Sequence, residues 1–314
     1  MFANLELPLM CAPMSFASSV PLATACCHAG VIGGWQGGTI TPLEQFEDYL
    51  VALANTDGAP PIVNMPARWG SDLAGAERLD LLERYRVPLV LSSLGDPSML
   101  VERVHGWGGR LIHDVTTMKH AEKAIQAGAD GLMLTCAGAG GHTGFLTPMA
   151  FVPAVRRLFD GLLIVAGGIA DVHGIAAALA LGGDIACMGT RFIATPESGV
   201  VEGHRTMIAA ADIDDIVASA AMNGVPAHWM RQSIQAVGLD PAALPAVRSP
   251  MPGGVKPWRD IWSAGQSVGL IDSVEPVAAV VARLCAQFDS LPVRPDWRQS
   301  LAARTLGWVN VSPE

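Results

Sequence analysis

"AIQAGADGLMLT" spans Ala124–Thr135, "ALALGGDIACMGT" spans Ala178–Thr190, and the two stretches read alike. Each passes from a helix end through glycine to an aspartate, then into a short apolar strand. Glycine closes a helix by taking a left-handed conformation, and the aspartate stands where the chain must reverse tightly. Two such copies predict serial βα units. Working outward, further strands are expected at Leu7–Met14, Gly30–Gly34, Pro61–Met65, Pro88–Ser92 and Arg110–Val115. With Gly131–Thr135, Leu162–Ala166 and Ile185–Met188 they make eight. Helical periodicity falls between them, at Val20–Ala29, Leu43–Asn55, Ala74–Tyr85, Pro97–Gly106, Met118–Ala127, Phe151–Phe159 and Asp171–Leu181.

Eight strands with intervening helices predict an α/β fold, a (β/α)8 TIM barrel. A doubly wound open sheet is the rival, since periodicity does not count strand closure. The alternation breaks at 197–261, where helical stretches precede "PAALPAVRSPMPGGVKPW" (Pro241–Trp258). We read 197–261 as a mostly helical insertion after the eighth strand. Residues 1–196 and 262–290, with a closing helix at Val274–Phe288, form the barrel, and 291–314 form a loose C-terminal arm.

The 314 residues are 50% hydrophobic and 16% charged, with 34 glycines and 22 prolines. That composition excludes a disordered acidic chain, a coiled coil and a small disulfide-stapled domain. A net charge of −9 and only three lysines (Lys119, Lys123, Lys256) argue against nucleic-acid and anionic-membrane partners. Mean hydropathy is +0.35, yet the most apolar stretch, Leu162–Met188, is broken by glycines, Asp171, His173 and Asp184, so no spanning helix is expected. The start, MFANLELPLM, lacks a secretory pattern. Six cysteines without metal-finger spacing read as reduced thiols. The expected setting is cytoplasmic, and a homodimer is compatible with it.

In a barrel, ligands bind at the C-terminal ends of strands. After the sixth strand comes "CAGAGGHTG" (Cys136–Gly144), after the seventh "AGGIAD" (Ala166–Asp171), and after the eighth "MGTRF" (Met188–Phe192). Gly167, Gly168, Gly189 and Thr190 would offer backbone N–H groups and a hydroxyl to a phosphate; alternatively the glycines only make tight turns. His142, flanked by glycines and with an ordinary pKa near 6.5, suits proton transfer, or is a plain polar loop residue. His113 either lines the site or sits satisfied in the core. His28, His105, His120, His173, His204 and His228 read as helix or surface residues. No histidine–carboxylate spacing suggests a metal. Trp35, Trp69, Trp229, Trp258 and Trp262 can shape a pocket or simply pack. "WSAGQSVGLI" (Trp262–Ile271) is either a helix start or a backbone cradle.

These motifs, in the order "LPLMCAPM", "GGHTG", "AGGIAD", "GTRF" and "WSAGQ", resemble the nitronate monooxygenase family of FMN-dependent TIM barrels, across most of the chain. The resemblance implies that Ala12, Pro13 and Met14 pass along the flavin and that Asn64 hydrogen-bonds it. It implies that Gly167, Gly168, Gly189 and Thr190 hold the FMN phosphate, with Ala139, Gly140, Gly141 and Gln266 also touching the cofactor. His142 falls on the family's catalytic base, which takes the α-proton of a nitroalkane before O2 completes oxidative denitrification. Nitronates or nitroalkanes and O2 are then the small-molecule partners. NAD(P)H-dependent quinone and enoyl reductases share the scaffold and give the alternative activity. A non-redox phosphate binder or barrel isomerase is a third class. Two departures bear on the chemistry. Quinone-reducing relatives carry lysine where Asp114 stands here, and "CAGAGGH" lacks the acidic residue common before the catalytic histidine.

Overall fold

The computed structural model describes residues 1–37, 42–70, 73–292 and 296–309. Six barrel strands come first: β1 (Leu9–Cys11), β2 (Ile32–Gln36), β3 (Pro61–Pro66), β4 (Leu89–Ser93), β5 (Arg110–Val115) and β6 (Gly131–Thr135). A two-residue strand, β7 (Gly141–His142), lies outside the barrel. β8 (Leu162–Ala166) and β9 (Ile185–Met188) complete the set, and all eight barrel strands run parallel. Closure is at Met10, which pairs with Ile32 on one side and Cys187 on the other. The TIM barrel therefore replaces the open-sheet rival.

Strand ends follow local chemistry. β1 is shorter than its apolar run because Pro8 and Pro13 bracket it, and proline brings no ladder donor. β2 starts at Ile32, two residues later than expected, since Gly30 belongs to the preceding turn with φ +82°. The helix after β6 starts at Pro148, where proline suits the first turn. Pro276 likewise precedes the closing helix, Val277–Asp289, which packs against helices Val20–His28 and Val172–Ala180.

The two repeated phrases share a purpose beyond the turn. Gly128 (φ +87°) and Gly182 (φ +104°) end their helices in left-handed geometry. The aspartate that follows then clasps the neighbouring strand at two points. Asp130 donates its N–H to the Leu111 carbonyl (2.8 Å) and accepts the Leu111 N–H on Oδ2 (2.8 Å). Asp184 does the same with Leu163, at 2.8 Å in both directions. Asp184 also pairs with Arg156 at 2.6 Å, and Arg156 donates onward to the Phe159, Gly161 and Gly182 carbonyls.

The segment 197–261 holds helices Glu202–Ala210 and Arg231–Ala236, and its strands were not expected. It also folds a hairpin of β10 (Ile216–Ser219) and β11 (Ala227–Met230), and β11 takes β7 as its second neighbour. A small core of Ala221, Met222, Ala227, Trp229, Ile234 and Ile261 supports that sheet. The tail is not loose over its described part: Trp297–Arg304 is a helix whose Trp297 and Leu301 join the main core. The Trp69 side chain and residues 310–314 lie outside the described residues. Among the described residues no helix is long and apolar enough to cross a membrane, and no disulfide forms, five of the six cysteines being buried.

Two histidines are fixed by the fold. His113 on β5 is buried with Nδ1 2.7 Å from the Ser92 hydroxyl of β4. His204, expected on a helix or at the surface, is on the helix Glu202–Ala210 but buried; it stacks on Trp262 and meets the Ser263 carbonyl at 3.0 Å.

Replacing Asp184 with alanine strands the Arg156 charge and frees the Leu163 N–H; the expected loss is about 3–5 kcal/mol, measured by chemical denaturation. A loss under about 1 kcal/mol would show that the clasp does not hold the barrel. Burial pushes both His113 and His204 down to about 4, below the ordinary 6.5. Between those values the unfolded chain binds protons that the folded chain refuses. Stability is therefore complete above pH 6.5 and falls as pH drops toward 4, by about 1.4 kcal/mol per unit for each histidine. His204→Gln should flatten the stability-against-pH slope between pH 6.5 and 5; an unchanged slope would contradict its buried neutral state.

Candidate active site

At the C-terminal face of the barrel, loops from distant parts of the chain meet backbone to backbone. The loop after β1 meets the end of β9: Ala12 donates to the Met188 carbonyl (2.9 Å), and a Cβ added to Gly189 would lie 3.2 Å from Met14 Sδ. The loop after β6 meets the turn before the closing helix. A Cβ on Gly140 would stand 2.7 Å from the Gly265 nitrogen, so nothing larger than glycine fits at that crossing. Gln266 donates its N–H to the Gly138 carbonyl (2.9 Å), and Gly265 donates to the Thr190 hydroxyl oxygen (2.8 Å).

Between these loops the backbone is open at Gly168. Gly167 and Gly168 adopt φ of +128° and +73°, and a Cβ on Gly168 would meet nothing within 4 Å. The N–H groups of Gly168 and Gly189 find no acceptor among the described residues, whereas that of Gly167 continues the β8–β9 ladder beside the Ala166–Cys187 pair. A left-handed glycine with a free N–H is the kind of backbone from which anion-binding concavities are built. The helix after β8 opens at Val172, with Asp171 accepting the Gly174 N–H. Expected residues Ala12, Met14, Gly140, Gly167, Gly168, Gly189, Thr190 and Gln266 are thus linked through neighbouring contacts around one mouth, with Pro13, Ala139 and Gly141 beside them in the chain. Asn64 is buried on β3 and donates to the Leu91 carbonyl at 3.2 Å.

His142 lies on β7, paired with Ala227 of β11. It is exposed at the mouth, and partial desolvation holds its pKa below the ordinary value. Its Nε2 lies 2.9 Å from Asn223 Nδ2, and its ring meets Trp258 edge to face with centroids 5.4 Å apart. The loop behind it is tied down by the insertion and the closing turn. Ser263 Oγ accepts the Gly141 N–H (2.7 Å) and donates to the His228 carbonyl (2.7 Å). The His228 ring in turn reaches the Ala139 carbonyl through Nδ1 at 2.7 Å.

His228 was expected on a helix or at the surface; it is a buried strand residue. Asn223, Ser263 and the hairpin escaped the sequence reading as well. An Asn-Gly pair (Asn223-Gly224) before the apolar "PAHWM" (Pro226–Met230) was a hairpin signal. Asp114, partly exposed on β5, pairs with neither His113 nor an arginine: it accepts the Thr135 hydroxyl at 2.5 Å, and burial pushes its carboxyl up to about 6. Among the described residues, no three His, Cys, Asp or Glu side chains are grouped to hold a metal.

The nitronate monooxygenase family model matches residues 61–287. A solved structure of nitroalkane oxidase from Streptomyces ansochromogenes superposes with a TM-score of 0.75 at 25% identity, over 96% of this chain and 98% of that one. FabK from Thermotoga maritima gives 0.76 at 28% identity, over 92% of this chain and 94% of that one. A curated relative from Mycobacterium tuberculosis, (3aS,4S,5R,7aS)-5-hydroxy-7a-methyl-1-oxo-octahydro-1H-indene-4-carboxyl-CoA dehydrogenase, is 29% identical over 74% of this chain. The match spans 65% of that relative's length, just under two thirds. With a family model covering most of the sequence and a barrel of the same form, the chain belongs to the nitronate monooxygenase family of flavin oxidoreductases.

Proposed function

We propose that this chain binds FMN at the barrel mouth and oxidises alkyl nitronates or nitroalkanes with O2. The observation that carries this reading is the open concavity at Gly168, faced by unpaired N–H groups, with His142 at the same mouth. A terminal phosphate would take the N–H groups of Gly168 and Gly189, with Gly167 leaving room beside them. The Thr190 oxygen already accepts from Gly265, which leaves its own hydrogen to donate. No adenosine fingerprint accompanies this cup, which favours FMN over FAD. Ala12, Pro13 and Met14 would lie along the ring, Asn64 would meet it from β3, and Ala139, Gly140, Gly141 and Gln266 would close over it. Bound there, the flavin supplies the electron acceptor.

The protein's own chemistry then falls to His142. Neutral at pH 7 because desolvation opposes its charge, it takes the α-proton of a nitroalkane, and its exposure lets that proton leave to water. A preformed nitronate skips the step. Asp114, with a pKa pushed up to about 6, is mostly ionised at neutral pH and opposes negative charge gained nearby. That weighs against hydride acceptance from a nicotinamide. The second reading, an NAD(P)H-dependent reductase of quinones or enoyl thioesters, draws on the relative named as a carboxyl-CoA dehydrogenase. Anaerobic mixing separates the two: bleaching by nitronates supports the first, and bleaching by NADH or NADPH the second.

Purified protein should be yellow, and mass analysis of the released cofactor should give FMN. Gly168→Asp, which sets a carboxylate into the cup, should fold and yet lose the cofactor. Recovery of FAD, or full flavin retention by that variant, would overturn the assignment of the cup. His142→Gln should keep the cofactor and lose about 10²–10⁴-fold on neutral nitroalkanes, with a much smaller loss on preformed nitronates. Equal losses on both forms would make His142 a binding residue and not the base.

A further inference from the structure

The turn between β10 and β11 decides how His142 is presented. Asn223 Nδ2 stands 2.9 Å from His142 Nε2. The orientation of that amide is fixed independently, because its Oδ1 accepts the Val225 backbone N–H at 3.1 Å. The group facing the ring is therefore the NH2, which can only donate. A donor aimed at Nε2 requires a lone pair there, so the ring's single proton sits on Nδ1. Trp258 walls another side of the ring. It holds φ +71°, rare for a bulky residue, and packs on Trp229 with centroids 4.3 Å apart.

We propose that Asn223 is a positioning residue that selects Nε2 of His142 as the proton-accepting nitrogen and keeps the ring in its Nδ1–H form until substrate arrives. This rests on the reading of His142 as the base. In the proton transfer the substrate C–H bond breaks, its electron pair stays on the substrate, and the new N–H bond forms at Nε2, where the Asn223 N–H is displaced. Asn223 also disfavours the imidazolium, which would turn a second N–H against its NH2.

The titratable and charged groups on the elements packed around His142 are few. His228 on β11 is occupied by the Ala139 carbonyl. Arg259 and Asp260, beside Trp258, pair with each other at 2.6 Å, and the Lys256 N–H also meets Asp260. Arg248 packs against Gly224 on the Asn223 turn.

The test is ring-nitrogen NMR of the holoenzyme labelled with ¹⁵N-histidine, with His142→Gln identifying the signals. In the native protein Nε2 should be unprotonated and Nδ1 protonated at neutral pH. Asn223→Asp keeps an oxygen for the Val225 N–H and turns an acceptor toward the ring. It should protonate Nε2 and raise the acid limb of kcat/KM on neutral nitroalkanes by about 1–3 pH units. Asn223→Ala should remove the tautomer preference. A protonated Nε2 in the native ring, or native-like ring signals in both variants, would overturn the proposal. Should the ring signals behave as expected while nitroalkanes and nitronates are not turned over, the proposed reaction fails and the tautomer assignment stands.

Discussion

The N–H groups of Leu111 and Leu163 each end on a carboxylate oxygen from the residue just before the next barrel strand, and the two aspartates return their own N–H groups to the same residues. These four bonds lie at the strand starts, the end of a barrel associated with stability, whereas chemistry gathers at the other end. They matter to the mouth because side chains alternate along a strand. A slip of one residue at either seam would exchange inward and outward positions over its whole length. Asp114 and Thr135, which bond across β5 and β6, sit within one of the two clasped pairs; Gly167–Gly168 and Gly189 continue the strands of the other. The register set at one end thus places the donors at the other.

A second constraint is close approach. The loop after β6 and the turn before the closing helix cross where even a methyl group would collide, at Gly140 and Gly265. Close approach satisfies some backbone donors, such as that of Gln266, and leaves those of Gly168 and Gly189 without a partner among the described residues. An unpaired N–H is normally costly when shut away from water. At Gly168 there is room for a partner from outside the chain, since even an added Cβ would touch nothing there.

The barrel was legible because its information is local. Fully buried parallel strands appear as unbroken apolar runs, such as Leu162–Ala166, and helix ends announce themselves through Gly128 and Gly182. Glycines at strand ends, Gly167 and Gly189 among them, marked the mouth for the same reason. The hairpin and its pairing with β7 were not legible, because β7 is only two residues long and its partner lies some 85 positions away. His228 was misplaced as a helix or surface residue, and the burial of His204 on its helix went unseen: neighbouring sequence does not reveal that a carbonyl from another loop waits to receive each ring. Asp130 and Asp184 were noticed as turn residues, whereas their clasp depends on a strand that the repeat itself does not contain.

The three-stranded sheet draws a division of labour through the molecule. Residues that would grip the cofactor come from the barrel loops and the closing turn, while the wall around His142 comes from the hairpin and the Trp258 segment. The two regions meet at a few hydrogen bonds through Ser263 and Ala139. A changed hairpin turn would therefore alter what surrounds the histidine while leaving the barrel loops and their register as they are. Residues 216–230 are thus separable in principle from the barrel: no barrel strand takes its register from them.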